Sequence, residues 1–285
     1  MKEVTIISGK GGTGKTSLLA AFAALSDRPV IADCDVDASN MHLILSPKKS
    51  SEFPIIGSQK AYIDPLRCTR CMKCQASCRF CAIDEELVVR NELCEGCAVC
   101  NYVCPEDAID MLDFEAGSIV LANTRFGRFS YSKMKSGEEG SGKLVTAVRK
   151  QAREVAEKYG SNIILIDGPP GIGCPVIASI IGTNLALIVC EPTLSGLHDL
   201  KRVAALAMQM NVPVAVCVNK YDINESISCA IEDYCDMSSI PVLGKVPYDL
   251  EFVNAMVRGK CIMETRNDIK GIVAAIWDRA MAILF

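Results

Sequence analysis

A glycine-rich loop between a predicted strand and a predicted helix constrains the fold of this chain most strongly. Residues 9–17 read GKGGTGKTS and fit the phosphate-binding pattern G-x-x-x-x-G-K-[ST]. The β-branched run at 4–7 predicts a buried strand before the loop, and the apolar run at 18–25 predicts a helix after it. A glycine-rich turn with a chance match to the pattern is the alternative. Agreement of strand, loop and helix favours a phosphate site.

The residue types in the loop explain how it would bind phosphate. Glycines let successive backbone N–H groups face one anion, and the start of the helix adds partial positive charge. In such loops the lysine, here Lys15, reaches the β- and γ-phosphates, and the hydroxyl at Thr16 binds Mg²⁺. We therefore expect nucleotide contacts from Gly11, Gly12, Thr13, Gly14, Lys15, Thr16 and Ser17.

Composition narrows the class of protein. The chain has 285 residues, a formal net charge of −4 and 16 cysteines. The acidic balance argues against nucleic-acid binding, and no apolar run is long enough for a membrane span. With no secretory leader at the start of the chain, we expect a cytoplasmic protein. Cytosolic thiols stay reduced, so clustered cysteines indicate metal binding before disulfides.

Eight of the cysteines form two runs with the same spacing, C-x₂-C-x₂-C-x₃-C. The first run is Cys68, Cys71, Cys74 and Cys78, and the second, 26 residues on, is Cys94, Cys97, Cys100 and Cys104. Structural zinc is the alternative, since C-x₂-C pairs also bind Zn²⁺. The doubled three-plus-one pattern favours iron–sulfur clusters.

The two runs resemble the bacterial-type ferredoxin with two [4Fe–4S] clusters. In that arrangement the fourth cysteine of each run ligates the other cluster. The resemblance implies one cluster on Cys68, Cys71, Cys74 and Cys104, and a second on Cys94, Cys97, Cys100 and Cys78. Cys81 has no place in either set, and a small buried residue is the preferred interpretation of it.

Two further strands are predicted to end in aspartates beside the phosphate loop. The strand at 30–32 leads to Asp33, Asp35 and Asp37, and the apolar strand at 162–167 ends in Asp167. Carboxylates at the carboxyl ends of parallel strands suit metal or water positioning. Acidic loops without a catalytic part are the alternative.

With Lys10 as a second lysine, the loop resembles the deviant phosphate loop of the MinD/ParA/Mrp superfamily, which includes the nitrogenase iron protein. The resemblance implies that Lys10 crosses a homodimer interface to the partner's nucleotide. A solvated loop lysine is the alternative. It also implies that Asp35 activates water, that Asp167 holds Mg²⁺ through water, and that Gly171 senses the γ-phosphate. The same resemblance assigns adenine contacts to Asn219 and to the segment containing Pro247.

Cys174 lies seven residues after Asp167, at an offset where the nitrogenase iron protein has a cluster ligand. No second cysteine occurs near the polar loop at 138–143, where that family's other bridging ligand would fall. A transient, nucleotide-controlled metal site and a small buried residue are both open for Cys174. The loop itself suits either a mobile segment or a plain connection.

The sequence therefore predicts an α/β fold, a doubly wound and mostly parallel sheet of the P-loop NTPase type, with an inserted α+β ferredoxin-like module. The predicted domains are 1–59 and 113–285 for the ATPase, with the insert at 60–112.

Three functions fit this combination. The first is a dimeric ATPase that uses ATP and Mg²⁺ to assemble or deliver metal clusters to a metalloprotein client. The second is an ATP-gated electron donor to a redox partner, like the nitrogenase iron protein. The third is a positioning switch like MinD or ParA. The closing segment at 277–285 lacks the basic face of MinD's membrane-targeting helix, which places this function last.

Overall fold

The structure is a computed structural model that describes residues 1–36, 39–135, 142–266 and 268–285. The strands are β1 (Lys2–Ser8), β2 (Val30–Asp33), β3 (Lys48–Ile63), β4 (Ile109–Asn123), β5 (Arg128–Met134), β6 (Ile163–Pro170), β7 (Leu185–Cys190), β8 (Val214–Asn219) and β9 (Val242–Val246). The helices are α1 (Lys15–Leu25), α2 (Met41–Leu45), α3 (Lys73–Ser77), α4 (Val99–Val103), α5 (Gly142–Tyr159), α6 (Cys174–Ile180), α7 (Leu194–Gln209), α8 (Glu225–Met237), α9 (Glu251–Val257) and α10 (Ile269–Leu284).

Within these described ranges the sheet has nine strands, in the order β3-β4-β5-β2-β6-β1-β7-β8-β9. Strands β5, β2, β6, β1, β7, β8 and β9 are joined by parallel pairs. The expected α/β fold with a mostly parallel sheet is therefore confirmed. The carboxyl ends of β1, β2 and β6 meet at one edge, because β1 and β2 both pair in register with β6.

The described residues form two compact units. The first comprises Met1–Glu52, Ile119–Ser132 and Gly140–Phe285, and the second comprises Phe53–Ser118 and Lys133–Glu139. The polar run at 47–54 lies mostly within β3. Pro54 fits there because β3 is at the edge of the sheet, where a missing backbone donor is tolerated.

Alternation along the strands of the first unit builds a core on each face of the sheet. Ile6 packs with α1 and α10 on one face, and its neighbour Ile7 packs with α7 and α8 on the other. Cys34, Cys190 and Cys217 are buried, as the apolar strands around them predict. Since both faces carry helices, central strands such as β7 are apolar throughout.

A buried ion pair ties the start of β1 to α5. Glu3 is 6 % exposed and Arg149 is 4 % exposed, and Arg149 Nη2 lies 2.6 Å from Glu3 Oε2. Arg153 donates to the same carboxylate. Burial alone would raise the pKa of Glu3, but hydrogen bonds and charge from Arg153 and Arg149 outweigh it, so this pKa lies below its usual value.

Replacing Glu3 with glutamine is expected to lower the free energy of unfolding by about 3–5 kcal/mol, because Arg149 would keep a buried charge without its partner. Since the folded state depresses the pKa of Glu3, this stabilisation exists above about pH 4 and is lost as the pH falls through the lower, folded-state pKa. Urea titration at pH 7 measures the loss. Glu154→Gln, at an exposed position on α5, is the matched control and should change the free energy of unfolding by less than about 0.5 kcal/mol. Equal stability of Glu3→Gln and the parent would contradict this account of the pair.

Candidate functional site

The glycine-rich loop connects β1 to α1, and α1 begins at Lys15. Gly12 and Gly14 have φ values of 81° and 91°, in the left-handed region that favours glycine. A Cβ atom on Gly14 would lie 2.3 Å from Asn219 Nδ2. Both the backbone conformation and the close approach of Asn219 therefore require glycine at position 14.

The ammonium group of Lys15 lies between two of the predicted carboxylates. Its Nζ is 2.5 Å from Asp35 Oδ2 and 3.4 Å from Asp167 Oδ1, and the side chain is almost fully buried. Thr16 Oγ1 donates a hydrogen bond of 2.7 Å to Asp167 Oδ2. The structure thus brings together Lys15, Thr16, Asp35 and Asp167.

A third carboxylate lies beside this group. Asp33 pairs in register with Asp167 across β2 and β6, and both side chains are buried. Asp33 also accepts hydrogen bonds from the Asp35 backbone N–H (3.1 Å) and from Ser39 Oγ (2.6 Å). Asp37, in the same segment, lies outside the described residues.

Burial of these charged side chains close to one another shifts their pKa values. Burial and the Asp167 charge raise the pKa of Asp33 to about 7. Burial also raises the pKa of Asp167, although Lys15 and Thr16 act in the opposite direction. Burial would lower the pKa of Lys15, but Asp167 and Asp35 outweigh it and the pKa is raised. One buried ammonium therefore faces three carboxylates.

This charge balance and donor set fit Mg²⁺. Magnesium in nucleotide sites is bound by one or two oxygen side chains together with phosphates and water. The Thr16 hydroxyl and the Asp167 carboxylate meet that need at the start of α1. A divalent cation would also reduce the repulsion between Asp33 and Asp167.

The second lysine of the loop is paired within its own chain. Lys10 Nζ lies 2.5 Å from Glu191 Oε1, and it donates to Thr193 Oγ1 at 3.3 Å and Ser195 Oγ at 3.4 Å. Lys220 Nζ lies 3.2 Å from the other oxygen of Glu191. Glu191 was not predicted, although its place after β7 beside the loop strand is a known position for site residues.

A cavity opens beside the loop. The predicted residues Asn219 and Pro247 line it, and Asn219 Nδ2 also donates a hydrogen bond of 2.7 Å to the carbonyl of Thr13. Its mixed apolar and polar walls suit a flat heterocyclic base. The residues around it are Gly12, Gly14, Ser17, Asn219, Lys220, Pro247, Tyr248, Asp249, Phe252, Val253 and Met256.

Gly171 lies at the same edge of the sheet. It follows β6, has a φ of 94°, and its N–H donates to the carbonyl of Ser8 at 3.0 Å. Since Ser8 is the last residue of β1, this bond holds the turn after Asp167 beside the glycine-rich loop. A side chain at position 171 would be strained in this conformation.

In the second unit, the eight spaced cysteines separate into two groups. One cavity is lined by Cys68, Cys71, Cys74 and Cys104, and another by Cys78, Cys94, Cys97 and Cys100. Each group combines three cysteines of one run with the fourth of the other. Within the described part of the chain, no three Cys, His, Asp or Glu side chains converge as ligands of a single metal ion.

The backbone curls around the two cavities in the same way. Arg70 and Met72 have φ values of 58° and 59°, and Gly96 and Ala98, 26 residues on, have 65° and 59°. Backbone N–H groups point at sulfur: Ala82 donates to Cys78 Sγ at 3.4 Å, and Ala108 donates to Cys104 Sγ at 3.3 Å. Left-handed backbone at non-glycine residues is uncommon and marks a conformation that the surroundings impose.

The two remaining cysteines of interest are exposed. Cys81 has a φ of 50° and is exposed, so its interpretation as a buried packing residue is wrong. It lies in a turn after Cys78 that carries its side chain to the surface. Cys174 begins α6 and is exposed, which contradicts the packing alternative for it as well. Of the polar loop at 138–143, residues 138–141 lie outside the described part of the chain.

No helix among the described residues has the length and apolar character that crossing a membrane requires.

Comparison with known proteins agrees with the loop and sheet. The model of the CobQ/CobB/MinD/ParA nucleotide-binding domain matches residues 4–262. The uncharacterized protein MJ0578 of Methanocaldococcus jannaschii is 36 % identical over 225 residues, covering 78 % of this chain and 79 % of that protein. The septum site-determining protein MinD of Synechocystis is 22 % identical over 280 residues, covering 94 % of this chain and 85 % of its own.

A solved structure has the same fold. MinD of Pyrococcus horikoshii, in complex with Mg-ADP, superposes with a TM-score of 0.63 at 16 % identity, covering 98 % of this chain and 95 % of that one. The family model spans most of the chain, and the glycine-rich loop with its lysine, threonine and aspartates lies inside the match. This chain is therefore a P-loop ATPase that belongs to the CobQ/CobB/MinD/ParA nucleotide-binding family.

Proposed function

We propose that this protein is an iron–sulfur ATPase, which binds and hydrolyses Mg-ATP as a homodimer and couples hydrolysis to the assembly or delivery of metal clusters to a metalloprotein client. One observation carries the proposal. The same chain has an ATPase loop and, in its second unit, two cavities that are each lined by four cysteines in a three-plus-one set.

The nucleotide half of the proposal uses the residues gathered around Lys15. The loop backbone and the Lys15 ammonium bind the phosphates, and Thr16 and Asp167 hold Mg²⁺, which neutralises charge on the phosphates when bound. Asp35, held by Asp33 through its backbone N–H, orients the attacking water. Asn219 and Pro247 contact the base in the cavity beside the loop.

The cluster half uses the two cysteine sets. We propose that Cys68, Cys71, Cys74 and Cys104 hold one [4Fe–4S] cluster, and that Cys94, Cys97, Cys100 and Cys78 hold the other. The residues fit this group because a cubane binds each thiolate through its own iron. Its ligands therefore surround a cavity, whereas the ligands of a single ion meet at one point. When bound, the clusters supply one-electron transfer.

The hydrogen bonds in the second unit support the same proposal. Ala82 N–H and Ala108 N–H point at the sulfurs of Cys78 and Cys104. Such bonds stabilise a thiolate and tune the potential of the cluster that it binds. Left-handed residues occur at matching positions in both runs, and backbone curled in this way suits an anionic cluster.

Cysteine substitutions test the cluster assignment. Cys78→Ser is expected to lose or convert one cluster, because Cys78 lines the second cavity. Cys81→Ser is the matched control, three residues away and exposed, and it should keep both clusters. Iron content and electron paramagnetic resonance of anaerobically prepared protein measure the outcome. Cluster loss in Cys81→Ser with retention in Cys78→Ser would overturn the assignment.

Exposure of Cys174 supports a third proposed metal position. As α6 begins at Cys174 directly after the Gly171 turn, a thiolate there would move with the nucleotide-sensing segment. We propose that two Cys174 side chains of a dimer hold a transient metal ion or labile cluster. Metal bound in excess of the two permanent clusters should depend on a non-hydrolysable ATP analogue and disappear in Cys174→Ser. An excess that survives the substitution removes Cys174 from the mechanism.

A MinD-like positioning switch is the second candidate, favoured by the names of several relatives, such as MinD of Synechocystis. In this chain α10 turns its apolar side chains Val273, Ile276 and Trp277 into the core. That face is therefore engaged in packing, and the cysteine cavities have no part in such a switch. Binding to lipid vesicles that depends on ATP in a variant without clusters would favour the switch.

The ATP-gated electron donor shares every site with the main proposal. The two differ in what ATP changes. A shift of cluster potential on addition of Mg-ATP, with all iron retained, favours the gated donor. Release of iron beyond the permanent clusters favours the carrier.

A further inference from the structure

The second unit contains an internal repeat that allows its two cysteine cavities to be compared position by position. The Asp64 N–H donates to the Ala108 carbonyl at 2.8 Å, and the Arg90 N–H donates to the Ala82 carbonyl at 2.7 Å. Asp64 and Arg90 are 26 positions apart in the sequence, and so are Ala82 and Ala108. The N–H bonds to Cys78 and Cys104 sulfur follow the same offset.

Lys60 breaks this symmetry. It is 7 % exposed, and its Nζ donates a hydrogen bond of 2.8 Å to the carbonyl of Cys94, the first cysteine of the second run. Its ammonium also lies 5.5 Å from the centre of the Phe114 ring. The equivalent position beside the first run, 26 residues on, is Glu86, which is exposed. A carboxylate cannot donate the corresponding bond to the carbonyl of Cys68.

We propose that Lys60 makes the two clusters unequal, so that the cluster on Cys94, Cys97, Cys100 and Cys78 has the higher reduction potential and is reduced first. Lys60 is in this sense a positioning and tuning residue for electron transfer. The inference rests on the proposed function, because it requires the two clusters.

The physical reason is the charge that reduction adds. One electron from a one-electron donor, such as dithionite in the test tube, converts a four-thiolate cubane from a dianion to a trianion. A buried ammonium beside a ligand stabilises the trianion more than the dianion, because attraction grows with charge and burial weakens screening. The Lys60 hydrogen bond also withdraws electron density from the Cys94 peptide, which acts in the same direction.

The consequence is a direction for electron flow inside the second unit. An electron entering at the cluster on Cys68, Cys71, Cys74 and Cys104 passes to the second cluster, which is reduced as the first is reoxidised. The second cluster is then the site from which a client or a nucleotide-controlled site draws electrons.

The test is a redox titration of the whole protein, followed by electron paramagnetic resonance, in the parent and in Lys60→Met. Loss of the ammonium should lower the equilibrium constant for reducing the higher-potential cluster at least tenfold. The reduction potential of that cluster should therefore fall by at least about 59 mV, the value of a factor of ten for a one-electron couple. The lower-potential cluster should move less. Lys60→Arg keeps the positive charge and the hydrogen-bond donor, so both reduction potentials should equal those of the parent.

Matched controls separate this effect from a general change of charge. Lys133→Met removes a positive charge from an exposed position of the same unit and should leave both potentials in place. Cys71→Ser and Cys97→Ser alter equivalent exposed ligands and assign each potential to its cluster. Cys97→Ser should change the higher of the two reduction potentials.

Two failures are distinguishable. Absence of iron–sulfur clusters in the parent protein overturns the proposed function, and this inference with it. Two intact clusters whose potentials are the same in parent and Lys60→Met overturn this inference alone, as does a shift confined to the cluster that Cys71→Ser perturbs.

Discussion

Replacement of Lys15 by alanine is expected to abolish ATP turnover and to weaken Mg-ATP binding by at least about 100-fold. The structure places this ammonium at the start of α1, where β- and γ-phosphates would lie. Each charge-assisted hydrogen bond contributes about 1.5–3 kcal/mol, and every 1.4 kcal/mol is a factor of ten in affinity. Two such bonds account for the expected loss.

The same substitution also changes the protein without nucleotide. Asp35 and Asp167 lose the cation at 2.5 Å and 3.4 Å, so the carboxylates repel one another and the free energy of unfolding should fall. Calorimetric titration with Mg-ATP measures binding, and urea unfolding confirms that the variant is folded at the temperature used. Lys150→Ala, at an exposed lysine of α5, is the control and should bind like the parent. Tight Mg-ATP binding by folded Lys15→Ala would contradict the site.

Replacement of Lys10 by alanine is expected to leave Mg-ATP binding largely intact and to lower turnover by about 10³-fold. A cation supplied across an interface to the transferring phosphoryl group contributes about 10³–10⁵ in rate. In the single chain Lys10 is paired with Glu191 at 2.5 Å, and it would leave this partner to reach a second copy. Binding and turnover therefore separate in Lys10→Ala, whereas they fall together in Lys15→Ala.

The rate per chain gives the measurement for Lys10. Parent turnover should rise with protein concentration as dimers form, and Lys10→Ala should stay low throughout. A mixture of Lys10→Ala and Lys15→Ala chains is expected to recover part of the turnover, because each mixed dimer has one intact loop facing one intact Lys10. Turnover by Lys10→Ala alone at the parent rate would show that the cross-interface assignment is wrong.

The sheet and the loop were accessible from sequence because their signals are local. A β-branched run, a glycine-rich loop and a helical run follow one another within the first 25 residues, and the strand ending in Asp167 is continuously apolar. Fixed spacing likewise divided the eight cysteines into two runs, and the resemblance to the two-cluster ferredoxin implied the exchanged sets that line the two cavities. The family match to residues 4–262 agrees with the loop.

Other features were missed because they depend on distant parts of the chain. The pairing of Lys10 with Glu191 joins residues far apart in sequence, and the buried Lys60 has no periodic pattern around it. The length of β4 was also missed, because it depends on pairing within the sheet. Cys81 was misjudged because a cysteine's burial follows from the turn that carries it.

Metal analysis of the parent protein, prepared anaerobically with iron supplied, tests the central proposal most directly. We expect about eight irons and about eight sulfides per chain, together with spin-coupled signals after reduction, in a protein that also hydrolyses Mg-ATP. Tetrahedral zinc in place of iron, or an active ATPase that contains neither iron nor sulfide under these conditions, would contradict it.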